Sequence, residues 1–470
     1  MDYSSGSGEY KKDGRWKRRV LPVAEAQRRV LLLAAARRTA SELTPLAACG
    51  GRRLAESLRA TSDWPPFARA GLDGYAVRAA DTALASPQAP ATLRVVDSVA
   101  AGGLASATIT PGTAARIMTG AAVPEGADAV VMLEQTAEAA AGGEPAARMV
   151  RIAAAASPGQ HVAPRGEEFR LGSPIVEAGE LLAPGHVALL GTFGYAAVPV
   201  YKRPRVAIFA TGSELLPVEA PLVPGRIRDS NSAMVDALVR ECGAEPLMCG
   251  TLPDDPVALR AALAEASERA ELIVTTGGVS VGDYDAMAEL LRELEAWEEA
   301  GSSYSADEGL EEVHTDSTGV AEASGRGGQG SMLLFNRVSM RPGSPTSAAL
   351  LNGRLVLALS GNPGACFVGF ELFAGPALRA MQGAASPDLP SIKAVLGEDY
   401  SKGSPHTRYV RAKLRFGEDG RVYADAARFG KSSMMASLAE SDGFAVIPSG
   451  SRGAAAGELV QVLLLKRFYS

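Results

Sequence analysis

The chain has 470 residues, 47% hydrophobic and 21% charged, which is globular material for about three domains rather than a disordered or fibrous chain. A formal net charge of −6 disfavours nucleic acid as the main partner, although arginine far outnumbers lysine and local arginines leave small anions open. The four cysteines (Cys49, Cys242, Cys249, Cys366) show no CxxC spacing and the four histidines (His161, His186, His314, His406) are scattered, so neither a zinc site nor a disulfide framework is expected, and the expected home is the reducing cytoplasm.

Residues 1–20 carry charge but no apolar stretch of signal-peptide type and read as a disordered tail, with Lys17-Arg18-Arg19 solvated. Residues 22–43 place Val23, Ala26, Val30, Leu31 and Leu33 at helical spacing and predict an amphipathic helix; a second short helix is expected around Arg52–Arg59. Asp63-Trp64-Pro65-Pro66 breaks that pattern. From 67 to 160, short β-like runs (Leu93–Val96, Thr113–Ile117, Ala129–Leu133, Arg148–Ile152) alternate with Gly and Ala turns and predict a small β domain. Ala183–Leu190 reads as helix and Ala196–Val200 as strand; Pro184, Gly185, Gly191 and Gly194 interrupt this apolar region, so no membrane span is expected.

At Arg203 an alternating α/β pattern begins: strand Val206–Phe209, helix Ser232–Glu241, strand Pro246–Gly250, helix Asp255–Ala270 and strand Leu272–Thr275. This predicts βαβ units, a mostly parallel sheet and strand C-termini aligned along one edge. Residues 298–331 are poor in large apolar groups and read as a flexible insertion. Strands resume at Met332–Phe335 and Arg354–Leu359. Asn362 and Pro363 then suit the N-cap and first turn of a helix. Beyond about 386 the chain reads as β again, except for Ser432–Leu438.

The segment from Thr275 to Asp285, TTGGVSVGDYD, follows the apolar run Leu272–Val274. Its glycines allow backbone N–H groups to approach an anion, and Asp283 and Asp285 are candidates to hold a divalent cation beside it. A Gly-rich turn carrying two solvated acids is an equally good reading of that segment alone. Five other segments stand out: Leu72–Val77 (LDGYAV), Arg116–Pro124 (RIMTGAAVP), Ala210–Leu215 (ATGSEL), Met340–Pro345 (MRPGSP) and Ser360–Pro363 (SGNP). Together and in this order the six segments resemble the molybdopterin molybdenumtransferase family (MoeA, the E domain of gephyrin and its plant relatives), from about residue 21 onward and apart from the insertion.

The resemblance implies α/β plus β architecture: helical domain I (21–62 and 162–200), inserted β domain II (63–161), α/β pterin-binding domain III (201–385), of MogA-like type, and C-terminal β-barrel domain IV (386–470). It implies that adenylylated molybdopterin and molybdate give molybdenum cofactor and AMP with Mg²⁺ required, in an elongated homodimer that also meets the upstream adenylyltransferase. Catalytic acids would be Asp73, Glu214, Asp254 and Asp285, with Glu214, Asp254 and Asp285 on the metal. Substrate contacts would be Thr119, Thr211, Gly212, Gly277, Gly278, Ser280, Arg337, Arg341, Ser344, Asn362, Pro363, Arg411 and Ser432. Glu168 also falls where the family has an acid.

Several of these residues have plain alternatives in the sequence. Asp73 suits a turn carboxylate, Asp254 an N-cap, Thr119 a β-turn threonine, Glu168 a surface charge and Arg411 a strand-surface charge. The chain reads RPGSP where many members read KPGKP, and GNPGA where many read GNPVS. A lysine and a serine contact to the oxyanion are therefore missing at Ser344 and Ala365, and Arg337 and Arg341 would carry more of the charge. Two other functions remain to be weighed: a non-catalytic pterin-binding scaffold of the same fold, and the molybdopterin adenylyltransferase, which would not need the two extra β regions.

Overall fold

The computed structural model describes residues 20–140, 148–252, 255–279, 287, 289–291, 293–294, 331–426 and 435–466. The expected insertion, apart from Ser331, and the expected N-terminal tail, apart from Val20, lie outside these residues. No helix among them is long and apolar enough to cross a membrane.

The first helix spans Val23–Ala35 and buries Ala26, Arg29, Val30, Leu33 and Ala34. It ends eight residues short of the predicted stop, because the chain is drawn into strand Ser41–Pro45, paired with Ala197–Tyr201. Tertiary pairing here overrides good local helix propensity. The same competition removes the helix expected at Arg52–Arg59. That stretch is extended, with Arg53 bridged to Leu181, Leu54 to Val200, and Leu58–Arg59 paired with Pro174–Val176.

The β region folds as a six-stranded sheet in the order Ala129–Met132, Gly74–Val77, Thr113–Ile117, Ala91–Val99, Arg148–Ile152 and Thr136–Ala140. Period-2 alternation gives it two apolar faces. Tyr75, Val77, Leu93 and Val131 form one, and Ala76, Val99, Ile117 and Val130 the other. At Gly74 a Cβ would collide with the Val131 carbonyl, so only glycine allows this close pairing.

The α/β sheet runs Glu245–Thr251, Arg205–Ala210, Leu272–Thr276, Arg354–Leu359, Ser347–Leu351 and Met332–Phe335. The first four are parallel and the last two antiparallel. Val206, Ile208, Leu272, Val274 and Leu357 face one side, against Val30 and Leu33 of the first helix, Val235 of helix Asn231–Glu241, and Phe370 and Phe373. Ala207, Phe209, Ile273 and Val356 face the other, against Leu259 and Leu263 of helix Pro256–Arg269. Each fully buried Leu or Ile contributes about 1.5–3 kcal/mol by leaving water. The first helix thus packs into the core of a sheet that begins some 170 residues later in the chain.

In the C-terminal region, strands Thr407–Phe416, Val422–Ala426, Ser391–Leu396, Leu459–Leu464 and Gly443–Ile447 close into a five-stranded barrel, because the first also pairs with the last. A short helix, Ala436–Glu440, falls in and just beyond the segment Ser432–Leu438 excepted from the β pattern, of which residues 432–434 lie outside the described residues. Strand Met340–Arg341, from the loop leaving the α/β sheet, joins the barrel's edge in register with Thr407–Arg408.

Candidate active site

The parallel strands end together, and short bonds lock their C-termini. Leu252 N–H donates to Ala210 O (2.8 Å), Thr211 N–H to Thr276 O (2.9 Å) and Gly277 N–H to Leu359 O (3.0 Å). The Thr211 hydroxyl also donates to Thr276 O at 3.1 Å. Gly277 sits at φ +89°, and a Cβ there would lie 2.6 Å from the Thr211 hydroxyl and 2.7 Å from its carbonyl. No side chain fits, so bare backbone faces the edge where open α/β sheets take their ligands. Gly212 and Gly278 are also at positive φ.

Glu214 is exposed beside this turn, and a Cβ on Gly212 would collide with its carboxylate. Asp254, Ser280, Asp283, Asp285 and Ser432 lie outside the described residues. Asp254 follows Leu252 by two residues and Asp285 follows Val279 by six. The N-cap of the next helix is Asp255, whose carboxylate accepts from Ala258 N–H at 2.7 Å, so N-capping there does not fall to Asp254. Among the described residues no three His, Cys, Asp or Glu side chains cluster in a metal-holding arrangement.

Sequence reasoning missed Asn231. Its amide donates to Gly361 O at 2.8 Å, and its buried Oδ1 has no partner among the described residues. Asp229-Ser230-Asn231, at the start of a helix following the ATGSEL strand end, was the available signal.

On the inserted β sheet, Asp73 and Thr119 meet across 46 residues of chain: the Thr119 N–H (2.7 Å) and hydroxyl (2.8 Å) both donate to Asp73 Oδ1. These two bonds, with Arg116 nearby, hold the exposed Asp73 carboxyl below its ordinary range. The turn-carboxylate and turn-threonine readings are therefore two halves of one contact. Glu168 is exposed and its N–H donates to Trp64 O at 3.0 Å.

The second cluster lies where the α/β sheet meets the barrel. A cavity of about 270 Å³ is lined by Arg341, Pro342, Gly343, Pro345, Ser360, Asn362 and Ala365 from one side and by Tyr400, Arg408, Tyr409, Val410 and Arg411 from the other. Arg341 and Arg408 are register partners across the joining strand pair. Arg408 spends one donor on Gly403 O (3.2 Å), and its buried Nε–H has no partner among the described residues. Arg411 is only 6% exposed, which corrects the strand-surface reading; burial pulls its pKa down from a very high starting point and leaves it cationic. Burial pushes the Tyr409 phenol up to about 12.

Other candidates have structural duties. Ser344 is buried: its hydroxyl donates to Val338 O (2.9 Å) and accepts from Arg337 Nε (3.2 Å), so it braces the loop behind the cavity. Asn362 occupies the N-cap before helix Pro363–Gly369 through its backbone, which accepts from Ala365 and Cys366, and its side chain makes no capping bond. Tyr400 and Arg408 were missed in the sequence. Both sit in barrel segments whose only signal was β character, and it is strand pairing that brings Arg408 beside Arg341.

Fold and site define a multidomain α/β protein in which a Gly-lined sheet edge adjoins an arginine-lined cleft, closed on one side by a β-barrel. Residues 21–194 match the MoeA N-terminal region (domain I and II), residues 207–380 the probable molybdopterin binding domain, and residues 393–465 the MoeA C-terminal region (domain IV). The chain is 40% identical over 450 residues to the molybdopterin molybdenumtransferase of Bacillus subtilis (strain 168), covering 96% of this chain and 95% of that one. It is 38% identical over 411 residues to the molybdopterin molybdenumtransferase of Staphylococcus aureus (strain COL), covering 87% and 88%. The solved molybdopterin biosynthesis moeA protein from Pyrococcus horikoshii OT3 superposes with a TM-score of 0.74 at 29% identity, covering 95% of this chain and 100% of that one. The chain belongs to the molybdopterin molybdenumtransferase (MoeA) family.

Proposed function

We propose that this chain is a cytoplasmic transferase that inserts molybdenum into molybdopterin, taking adenylylated molybdopterin and molybdate to molybdenum cofactor and AMP. The arginine-lined cavity at the sheet edge carries the reading. Molybdate is a dianion, and Arg341, Arg408 and Arg411 offer planar, permanently charged donors from two walls, including one buried N–H that has no partner among the described residues. The sister adenylyltransferase would need neither the inserted β sheet nor the barrel wall that supplies Arg408 and Arg411.

The bare backbone at Thr211–Gly212 and Gly277–Gly278 suits the anhydride of the pterin substrate, whose oxygens need close N–H donors. An exposed carboxylate, Glu214, stands beside that backbone and offers the hard oxygen that Mg²⁺ prefers, so the donor type fits the ion; Asp254 and Asp285 are its expected companions. Bound there, Mg²⁺ would neutralise charge growing on the anhydride oxygens. Asp73, kept ionised by Thr119, would approach from the β domain of a second subunit, and the two chains would share the site.

The deciding experiment mixes the protein with adenylylated molybdopterin, molybdate and Mg²⁺ and follows AMP. A molybdenum-inserting enzyme releases AMP only with all components present, and Arg408→Ala cuts the rate at least tenfold. Binding of the pterin without AMP release would leave only the scaffold reading, and consumption of ATP would indicate the adenylyltransferase.

A further inference from the structure

His406 is a histidine that the sequence reading left among its scattered four. It immediately precedes strand Thr407–Phe416, and its Nδ1 lies 2.9 Å from the hydroxyl of Ser339. Ser339 immediately precedes strand Met340–Arg341. In this strand pair Met340 stands opposite Thr407 and Arg341 opposite Arg408. The Ser339–His406 contact is therefore the next same-side rung of the ladder, two residues from the Arg341–Arg408 rung that lines the cavity.

Both ends of this rung are held. Ser339 N–H donates to Leu21 O at 2.8 Å, and His406 N–H to the Ser404 hydroxyl at 3.0 Å. The charged groups that act on the imidazole among the described residues are Arg341 and Arg337, across from it; Arg408 follows two residues along its own strand. None of the ion pairs among the described residues involves His406. It is a titratable base near arginines, with no carboxylate partner among the described residues.

We infer that His406 is the proton-accepting member of the oxyanion seat: when a dianion settles between Arg341 and Arg408, His406 takes up a proton, and anion affinity rises as the pH falls. This deepens the reading of that cavity as the molybdate seat and rests on it. Burial and the repulsion of Arg341 and Arg337 hold the imidazole below its ordinary range in the free protein. A bound dianion offsets that repulsion, so the same group is easier to protonate in the complex. Linkage then requires proton uptake on binding at pH values between the two conditions of the ring. The contact with Ser339 survives the change. A neutral ring accepts the serine hydroxyl at Nδ1, and a charged ring donates from Nδ1 to the serine oxygen.

The test is calorimetric titration of the full chain with molybdate, and with sulfate as an anion that keeps its charge throughout. It is run near pH 8 and near pH 6, spanning the imidazole range, in buffers of different ionisation enthalpy. Wild type should take up a fraction of a proton per anion at the lower pH and bind several-fold more tightly there. His406→Asn, whose amide still reaches Ser339, should bind without proton uptake and with flat affinity. An NMR titration of the wild-type His406 ring, with and without molybdate, gives the same answer without a variant: its pKa must rise on binding. Equal proton uptake in wild type and His406→Asn, or an unmoved ring pKa, overturns the inference. Failure of the seat itself looks different: molybdate affinity at both pH values would then be indifferent to Arg341→Ala and Arg408→Ala, and the role of His406 would fall with it.

Discussion

At the scale of the residue, the Asp73–Thr119 contact shows how a charge is kept ready on an exposed loop. One carboxylate oxygen takes both donors of Thr119, and the carboxylate is exposed. Removing the hydroxyl in Thr119→Ala should raise the Asp73 pKa toward the ordinary carboxylate range, because a bond to the charged form is lost. The acid limb of the rate profile should move to higher pH while kcat/KM at neutral pH changes little, because the carboxyl stays ionised there; an unmoved limb would remove Asp73 as the ionised group. Glu371 carries the opposite shift. Burial raises its pKa to about 7, against the pull of Arg379. A raised pKa means the folded state binds the proton more tightly. The resulting stability is fully present below about pH 4.5, the unfolded value, and is lost as the pH rises through about 7, a span of about 3 kcal/mol. Melting curves of Glu371→Gln should lose that slope between the two values. Neither environment was legible in the sequence. Asp73 and Thr119 stood out as single residues 46 positions apart, and only the strand pairing of Gly74 with Ile117 makes them neighbours. Arg411 read equally well as surface because alternation says which face a residue takes, not what covers that face.

At the scale of the element, apolar period settled several strands to the residue. The observed bounds Thr113–Ile117, Arg148–Ile152, Met332–Phe335 and Arg354–Leu359 are those expected from the sequence. Strand Ser347–Leu351 was missed although its signal was present: Asn352-Gly353, both at positive φ, is the turn that closes a tight hairpin. The extended stretch at 52–59 was unreadable, since its partners at 174–182 and 200 lie more than a hundred residues away. The junction of barrel and α/β sheet is also an element-scale feature. Phe367 of helix Pro363–Gly369 meets Phe444 of strand Gly443–Ile447 edge-on, with ring centroids 5.6 Å apart. Phe367→Ala should cost about 3–5 kcal/mol in unfolding free energy. It should also weaken molybdate binding, because Arg341 and Arg411 come from the two sides that this pair clamps. Unchanged molybdate affinity in a destabilised but folded variant would separate the clamp from the cleft.

At the scale of the whole molecule, the order of segments was legible because six motifs in sequence carry more information than any one of them. What the sequence withheld was the wall between sheet and barrel, assembled from residues about seventy positions apart, Arg341 and Arg408. The proposed sharing of the site between two chains has a direct test. Asp73→Asn and Arg411→Ala should each be nearly inactive alone. Co-refolded in equal amounts, they should recover about a quarter of wild-type activity, since half the dimers are mixed and each mixed dimer has one intact site. No recovery from a mixture shown to contain mixed dimers would place both residues in one chain's own site.

Leu21, just ahead of the first helix, reaches into this wall. Leu21 takes the N–H of Ser339 and gives its own to Arg337 O, at 2.8 and 3.1 Å, straddling Val338. A ribosome therefore delivers one half of that clasp more than three hundred residues before the other. Until the late loop emerges and hooks back onto Leu21, the nascent chain lacks one wall of the cleft proposed to seat the oxyanion. Trimming the protein a little past its twentieth residue would unfasten a cleft that looks, on a linear map, to belong to its far end.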